Sequence, residues 1–293
     1  MKQFLISAFI LLVASIGIFA ANDKWEGTSV EFSHGRLKVS ENKRFLIFED
    51  GTPFFYLGDT GWELFHRLNK DDAEKYLENR RSKGFTVIQA VALAELDGLN
   101  TPNAEGNRPL INNDPLKPNE AYFSHVDWVI KKAEEKGIFI GLLPTWGDKV
   151  DKQWGVGPAR HNWYDVLDLP GASQLIHARR LMESKPFVSR IPDQSMIAPD
   201  YFPETDYVVA TRGNGYAFVY FPTGWAATII LSKINAEMSN ASWFNPRTGE
   251  FTFIEKIKGD TSKKFTPPSS GRGNDLILVL DDASVKQINK ISK

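Results

Sequence analysis

The sequence predicts an α/β domain of (β/α)8 barrel type, incomplete, followed by an all-β antiparallel sandwich. Three observations carry this. Apolar runs without alternation, "PFFYLG", "FTVIQAVAL" and "IFIGLLPTWGDK", are separated by amphipathic helical stretches, as expected for parallel strands buried on both faces. The long polar loops follow the C-terminal ends of those runs, which is the working face of a barrel. From Tyr207 the pattern changes to a period of two with Gly-containing turns, "YVVATRGNGYAFVYFPTG", "ATIILSK", "ASWFNPRTGEFTFIEKI" and "DLILVLDD". Short strands at that spacing read as an antiparallel sandwich.

Residues 1–20 read as a secretory signal peptide. Lys2 supplies the positive start, Phe4 to Phe19 an apolar run, and Ala20 and Ala21 small residues suited to cleavage. The run is short of the roughly 20 residues of a spanning helix. The expected location is secreted or periplasmic in a bacterium, with no membrane contact after signal cleavage. The chain has no cysteine, which excludes a lipoprotein anchor, structural disulfides, thiol catalysis and Cys-ligated metal. Its 35 basic and 36 acidic side chains give a net charge of -1, so nucleic acid is not an expected partner.

The barrel-type domain is placed at residues 27–190. Asp50-Gly51 between two apolar runs signals a hairpin. A helix is predicted over Lys70 to Lys83, capped by Asn69 or Asp71, with Ala73, Tyr76 and Leu77 on one face and Gly84 as its stop. A polar loop of about 26 residues follows the second strand, long enough to be functional. The stretch "YFSHVDWVIKKAEEKG" is a helix with Phe123, Val126, Val129, Ile130 and Ala133 on its apolar stripe. A last helix, "DLPGASQLIHARRLMESKPF", is expected to turn Leu175, Ala178 and Leu181 or Met182 inward. The sandwich is placed at residues 205–284, after a linker from about Ile191 to Glu204.

The length of the first domain does not fit a whole barrel. A (β/α)8 barrel takes about 250 residues and rarely under 200, whereas about 160 lie between the hairpin and the linker. Only three βα strands are readable.

The motifs "FFYLGDTGWELFHRL", "GFTVIQAVALAELDGLN", "GIFIGLLPTWGDKV" and "DVLDLPGASQLIHARRLMESKPF" resemble the barrel domain of the apiosidase-like glycoside hydrolases of family 140. The last eighty or so residues, including "ASWFNPRTGEF", are similar to the accompanying β-sandwich, labelled a collagen-binding domain of a collagenase. The resemblance implies hydrolysis of O-glycosidic bonds in plant cell-wall polysaccharide side chains, apiose-containing pectin among them. It also implies several further βα units between the Trp-Gly-Asp-Lys loop and the Leu-Asp-Leu-Pro-Gly helix. Here Lys149 and Asp168 stand about 19 positions apart. An internal deletion near Gly155 to Arg160 is the simplest reading.

Glycoside hydrolysis needs two carboxyl groups flanking the scissile bond. In related barrels the pair comes from the fourth and a later strand, which this chain lacks, so no residue is assigned a catalytic role. The expected substrate-binding residues are Asp59, Trp62, Glu95, Asp97, Trp146 and Asp148, at the C-terminal ends of the three strands. Their carboxylates suit sugar hydroxyls and their indoles suit sugar C–H faces. An Asp after a strand is often only a helix cap, and a Trp beside a Gly often only core packing. The five histidines show no ligand spacing, so neither a metal nor a cofactor is expected. The expected partner is an oligo- or polysaccharide. The alternative is a truncated, non-catalytic homologue whose sandwich binds carbohydrate or matrix protein. An open barrel edge adds self-association through that edge as a further expectation.

Overall fold

The computed structural model describes residues 24–93, 97–145, 163–199, 202 and 204–285. The signal peptide and the seam expected near Gly155 to Arg160 lie outside these residues. Among the described residues no helix is long and apolar enough to cross a membrane.

Three short strands open the chain, β1 (Leu37–Val39), β2 (Leu46–Phe48) and β3 (Pro53–Phe54), paired antiparallel in that order. The expected hairpin turn is present. Gly51 adopts φ 91°, a left-handed conformation that favours glycine, and Asp50 Oδ1 accepts the Thr52 N–H at 2.8 Å.

The parallel part follows as β4 (Gly58–Thr60), α1 (Leu64–Arg67), α2 (Lys70–Ser82), β5 (Val87–Leu93), α3 (Glu120–Glu135) and β6 (Phe139–Thr145). The first of the two longer helices starts where the sequence predicts, and the second starts two residues before the expected Tyr122. Asn69 accepts from Asp72 N–H and Asn119 from Ala121 N–H, each satisfying an orphan donor of the first turn. Tyr122, Val126, Val129 and Ala133 of α3 pack with Ala73, Tyr76 and Leu77 of α2 over Ile88 and Ala90 of β5.

The sheet runs β4-β5-β6, all parallel, with Asp59 level with Ile88 and Ile88 level with Ile140. Three strands, not eight, form this sheet among the described residues. The sequence reading placed "PFFYLGDT" in one buried strand, but the structure divides it between two sheets. Thr86 makes the division: its Oγ1 donates to Phe55 O at 2.8 Å and accepts from Leu57 N–H at 2.8 Å, while its own N–H reaches Leu57 O at 2.9 Å. β6 was expected to be buried on both faces. It is an edge strand instead, and Leu142 is 49% exposed because no further helix covers it among the described residues.

The chain continues with α4 (Trp163–Val166) and α5 (Pro170–Glu183). Leu167 joins the α2–α3 core, and its carbonyl accepts from Arg80 Nη1 at 3.1 Å and Lys83 Nζ at 2.8 Å. The inward face of α5 matches the expected one at Leu181 but not at Leu175: Ile176, His177, Arg179 and Leu181 are buried, and Leu175 is exposed. The helix serves two neighbours. Towards the parallel part, Arg179 donates to Gly84 O and Ser29 O, each at 2.7 Å, and stacks 3.6 Å from the Trp25 ring. Towards the sandwich, Leu181 packs with Tyr216, Phe218, Phe244 and Val279.

Eight strands complete the fold: β7 (Ile191–Pro192), β8 (Val209–Gly213), β9 (Tyr216–Phe221), β10 (Ala227–Ile230), β11 (Met238–Phe244), β12 (Phe251–Lys258), β13 (Ser262–Phe265) and β14 (Leu276–Asp282). Six form a sheet of order β12-β11-β14-β9-β8-β7, and β10 pairs with β13 in a second sheet. Alternation explains the two faces. Val219, Phe221, Trp243, Leu278 and Leu280 point to a core shared with Ile229 and Phe265, while Phe218, Phe244 and Val279 point to α5.

Candidate functional site

The C-terminal ends of β4, β5 and β6 are the candidate site, as in any parallel barrel-type sheet. Gly61 lets the end of β4 come close to its neighbours, since a Cβ there would lie 2.8 Å from Ile88 and 3.0 Å from the Tyr76 hydroxyl. Trp62 follows, half-buried, with its carbonyl accepting from Val91 N–H at 3.2 Å. This bond ties the β4 loop to Val91, near the C-terminal end of β5. Next to it Glu63 pairs with Arg67 at 3.3 Å, and Tyr122 donates to Ala92 O at 2.7 Å. Burial, with the Glu63 carboxylate adding to it, holds the Tyr122 phenol well above its usual range, so it stays a neutral donor.

Asp97 lies exposed after β5 with φ 66°, a left-handed conformation uncommon outside glycine and asparagine. Its carboxylate accepts from Asn100 Nδ2 at 2.6 Å, and Asn100 Oδ1 in turn accepts from Asn113 Nδ2 at 2.8 Å. The long loop is therefore ordered by its own amides. Asn103, buried, does the same deeper in, accepting from Glu105 N–H and Asn107 N–H.

Asp59 is placed differently from the sequence expectation. The register sets it level with Ile88 and Ile140, whose side chains enter the α2–α3 core, so it faces the helix layer and not the barrel interior. Arg80 Nε lies 2.6 Å from its Oδ2, and the Tyr76 hydroxyl donates to the same oxygen at 2.7 Å. Arg80 is itself sandwiched between the Tyr76 and Phe85 rings, 5.3 Å from each. Burial first, then the Asp59 carboxylate, pushes the Tyr76 phenol far above its usual range. This carboxylate is neutralised inside the protein and anchors α2 to β4. Sequence spacing could not reveal it, because the two faces of a fully apolar strand look alike.

The structure thus brings Trp62 and Asp97 to the same end of the sheet and turns Asp59 away. Glu95, Trp146 and Asp148 lie outside the described residues. Sequence reasoning passed over Tyr122 and Thr145: the Thr145 hydroxyl, at the end of β6, is buried and has no hydrogen-bond partner among the described residues. Among the described residues no group of three His, Cys, Asp or Glu side chains is placed to hold a metal ion.

Residues 40–162 match the family model described as "Apiosidase-like, catalytic domain", and residues 191–281 match the one described as "Putative collagen-binding domain of a collagenase". A solved structure described as a glycoside hydrolase superposes with a TM-score of 0.76 at 22% identity, over 89% of this chain and 100% of that one. A glycoside hydrolase family 5 protein from Bacteroides vulgatus ATCC 8482 superposes with a TM-score of 0.81 at 20% identity, over 90% of this chain and 96% of that one. Both likenesses concern the fold. No curated protein matches the chain. The two family matches fall on the two parts that the motifs had marked, with α5 between them. The parallel part of the chain is thus similar to the apiosidase-like catalytic domain, and the sandwich behind it to the collagen-binding-type domain.

Proposed function

We propose that this chain is a secreted or periplasmic glycoside hydrolase-type protein of plant cell-wall polysaccharide side chains. In its three-stranded form it holds the saccharide at the ends of β4, β5 and β6 without cleaving it. The apiosidase-like match supports the substrate class, apiose-containing pectic side chains. The observation that carries the absence of turnover is the extent of the parallel sheet, which ends at β6 among the described residues. Hydrolysis needs a carboxyl pair across the bond, at about 5 to 5.5 Å for retention or about 6.5 to 9.5 Å for inversion. The first-strand carboxylate, Asp59, is already paired with Arg80. Trp62 and Asp97, with Glu95, Trp146 and Asp148 of the same loops, are the proposed binding residues.

The test is incubation of the purified chain with apiose-containing pectic oligosaccharides. Binding without sugar release is expected, and binding should weaken in Trp62→Ala. Release that disappears in Asp97→Asn or Asp148→Asn would overturn the reading. Sequencing the locus across Gly155 should separate a true deletion from a misread one, since a barrel of about 250 residues implies about 90 further codons.

One feature favours a second activity in the sandwich. A cleft of about 390 Å³ at one of its ends is lined by Asp206, Thr223, Trp225 and Arg272, with Trp225 51% exposed. A carbohydrate or matrix-protein ligand would meet an aromatic face there. Retention of the chain on fibrillar collagen or on insoluble cell-wall polysaccharide, lost in Trp225→Ala, is the corresponding check. The edges of β4 and β6, which meet no further strand among the described residues, also make pairing with a second copy part of the proposal. A monodisperse monomer by light scattering would remove that part.

A further inference from the structure

A second cleft, of about 430 Å³, lies at the opposite end of the parallel strands, between the β1–β3 sheet and the stretch that follows α5. Its lining joins aromatic rings, those of Phe45, Tyr56 and Phe187, to three cations, Lys43, Arg44 and Arg190. Tyr56 is half-exposed, so a ring surface is open to a ligand.

Elsewhere in this nearly neutral chain several partly or fully buried guanidiniums have carboxylates beside them: Arg80 has Asp59, Arg179 has Glu183, Arg212 has Asp193 and Arg247 has Asp275. The cleft departs from that pattern. Among the described residues, Arg190 has no carboxylate beside it: the Phe218 ring lies 5.4 Å away, the neutral Tyr216 phenol is close, and the Arg190 Nη1 is buried without an acceptor. Arg44 has only the Phe45 ring, at 5.5 Å. Lys43 stands at the rim in a left-handed conformation, φ 57°, fixed by its N–H to Ser40 O at 2.8 Å and by Ser40 N–H to Phe45 O at 2.9 Å. A non-glycine residue held there points to a local use. Three positive charges without counter-charges attract an anion, and a half-buried guanidinium gains most from one because water screens it least. Ring faces beside the charges select a ligand with an apolar face of its own.

We propose that this cleft binds a carboxylate-bearing sugar, a uronic acid residue of a polysaccharide. The sugar ring lies against the aromatic wall and its carboxylate among Lys43, Arg44 and Arg190. The site is remote from the C-terminal strand ends and shares with the proposed function only the saccharide class. A pectic backbone rich in uronic acid would thus be gripped at one end of the sheet while a neutral side chain meets the other.

Titration calorimetry of the full chain with a galacturonic acid trimer, a neutral galactose trimer and inorganic phosphate tests this. The acidic trimer should bind about tenfold or more tightly than the neutral one, the scale of a charge-assisted hydrogen bond. Its affinity should fall as the salt concentration rises. Arg190→Gln should weaken it about tenfold while leaving binding of neutral oligosaccharide at the strand ends intact. Lys43→Ala, on an exposed turn, should weaken it less, and gives the reading should Arg190→Gln fail to fold. Equal affinity for the acidic and neutral trimers, or no effect of either substitution, would overturn the proposal. Phosphate competing as strongly as the trimer would overturn the uronate assignment. Neither result would touch the reading of the strand ends, whose own failure would appear as lost binding of neutral oligosaccharide.

Discussion

The six-stranded antiparallel sheet is covered on both faces, by β10 and β13 on one side and by α5 on the other. The three-stranded parallel sheet is covered on its helix side, and both its outer strands lack a further partner among the described residues. The difference lies in how each sheet closes. Antiparallel neighbours are joined by local turns, such as the one at Gly215 between β8 and β9, so each strand brings its own partner. Parallel neighbours need crossovers, and a barrel hides its edges only when the last strand meets the first. Remove the middle of such a chain and the remainder keeps its helix-side core but exposes residues such as Leu142. In this molecule α5 and residues 25–30 brace the parallel part from outside, by holding the turns that precede β5 and β6.

That contrast can be broken experimentally, beginning with the largest effect. Arg179→Met removes the donors to Gly84 O and Ser29 O and the cation beside Trp25. It should cost about 3–5 kcal/mol by urea unfolding, the range for losing one partner of a buried charged network. If the loss falls on the parallel part alone, by residue-resolved hydrogen exchange, the sandwich is shown to stand by itself. Leu181→Ala cuts the other side of α5 and should cost about 2–4 kcal/mol, for the lost burial and the cavity left behind. Here the sandwich face should loosen first, and Phe218 and Phe244 amides exchanging no faster would break the comparison. Asp59→Asn should cost about 2 kcal/mol by leaving Arg80 without its charge partner, and should not change saccharide affinity. A fall in affinity with unchanged stability would return Asp59 to the binding surface.

The smallest effect concerns pH. The Thr52 N–H first, and His34 second, hold the Asp50 carboxyl down to about 2, below the usual range near 4. A depressed folded pKa stabilises the folded form above the unfolded pKa, and that contribution disappears as pH falls through the folded one. The hairpin at Gly51 should therefore loosen between about pH 4 and pH 2, and Asp50→Asn should abolish this acid limb. Amide exchange of Thr52 against pH reads it directly.

Much of the fold was legible because local rules and tertiary structure agree. Asn69 caps the helix that its sequence position announces, Asp50-Gly51 turns the hairpin, and the alternation after Tyr207 gives the sandwich strands. The failures share a cause. A wholly apolar stretch carries no information about which face is which, so neither the helix-side orientation of Asp59 nor the hand-over at Thr86 could be read from spacing. The face of α5 was misjudged at Leu175 because the helix meets two partners, and a single stripe cannot describe it: Leu181 serves one, Arg179 the other. Of the site itself, the location at the strand ends was legible from loop length, whereas the internal pairing of Asp59 required the parallel register.

The seat of α5 has one more consequence. Its anchors, Gly84 O, Ser29 O, Trp25 and the outer face of the sandwich, belong to the early part of the fold or to the last domain, and among the described residues none belongs to a parallel strand beyond β6. The helix would dock in the same way whether five further repeats preceded it or none. The stretch between β6 and α4 is thus a natural splice point, where evolution or an engineer can lengthen or shorten the repeat without redesigning the joint that holds the two halves of the protein together.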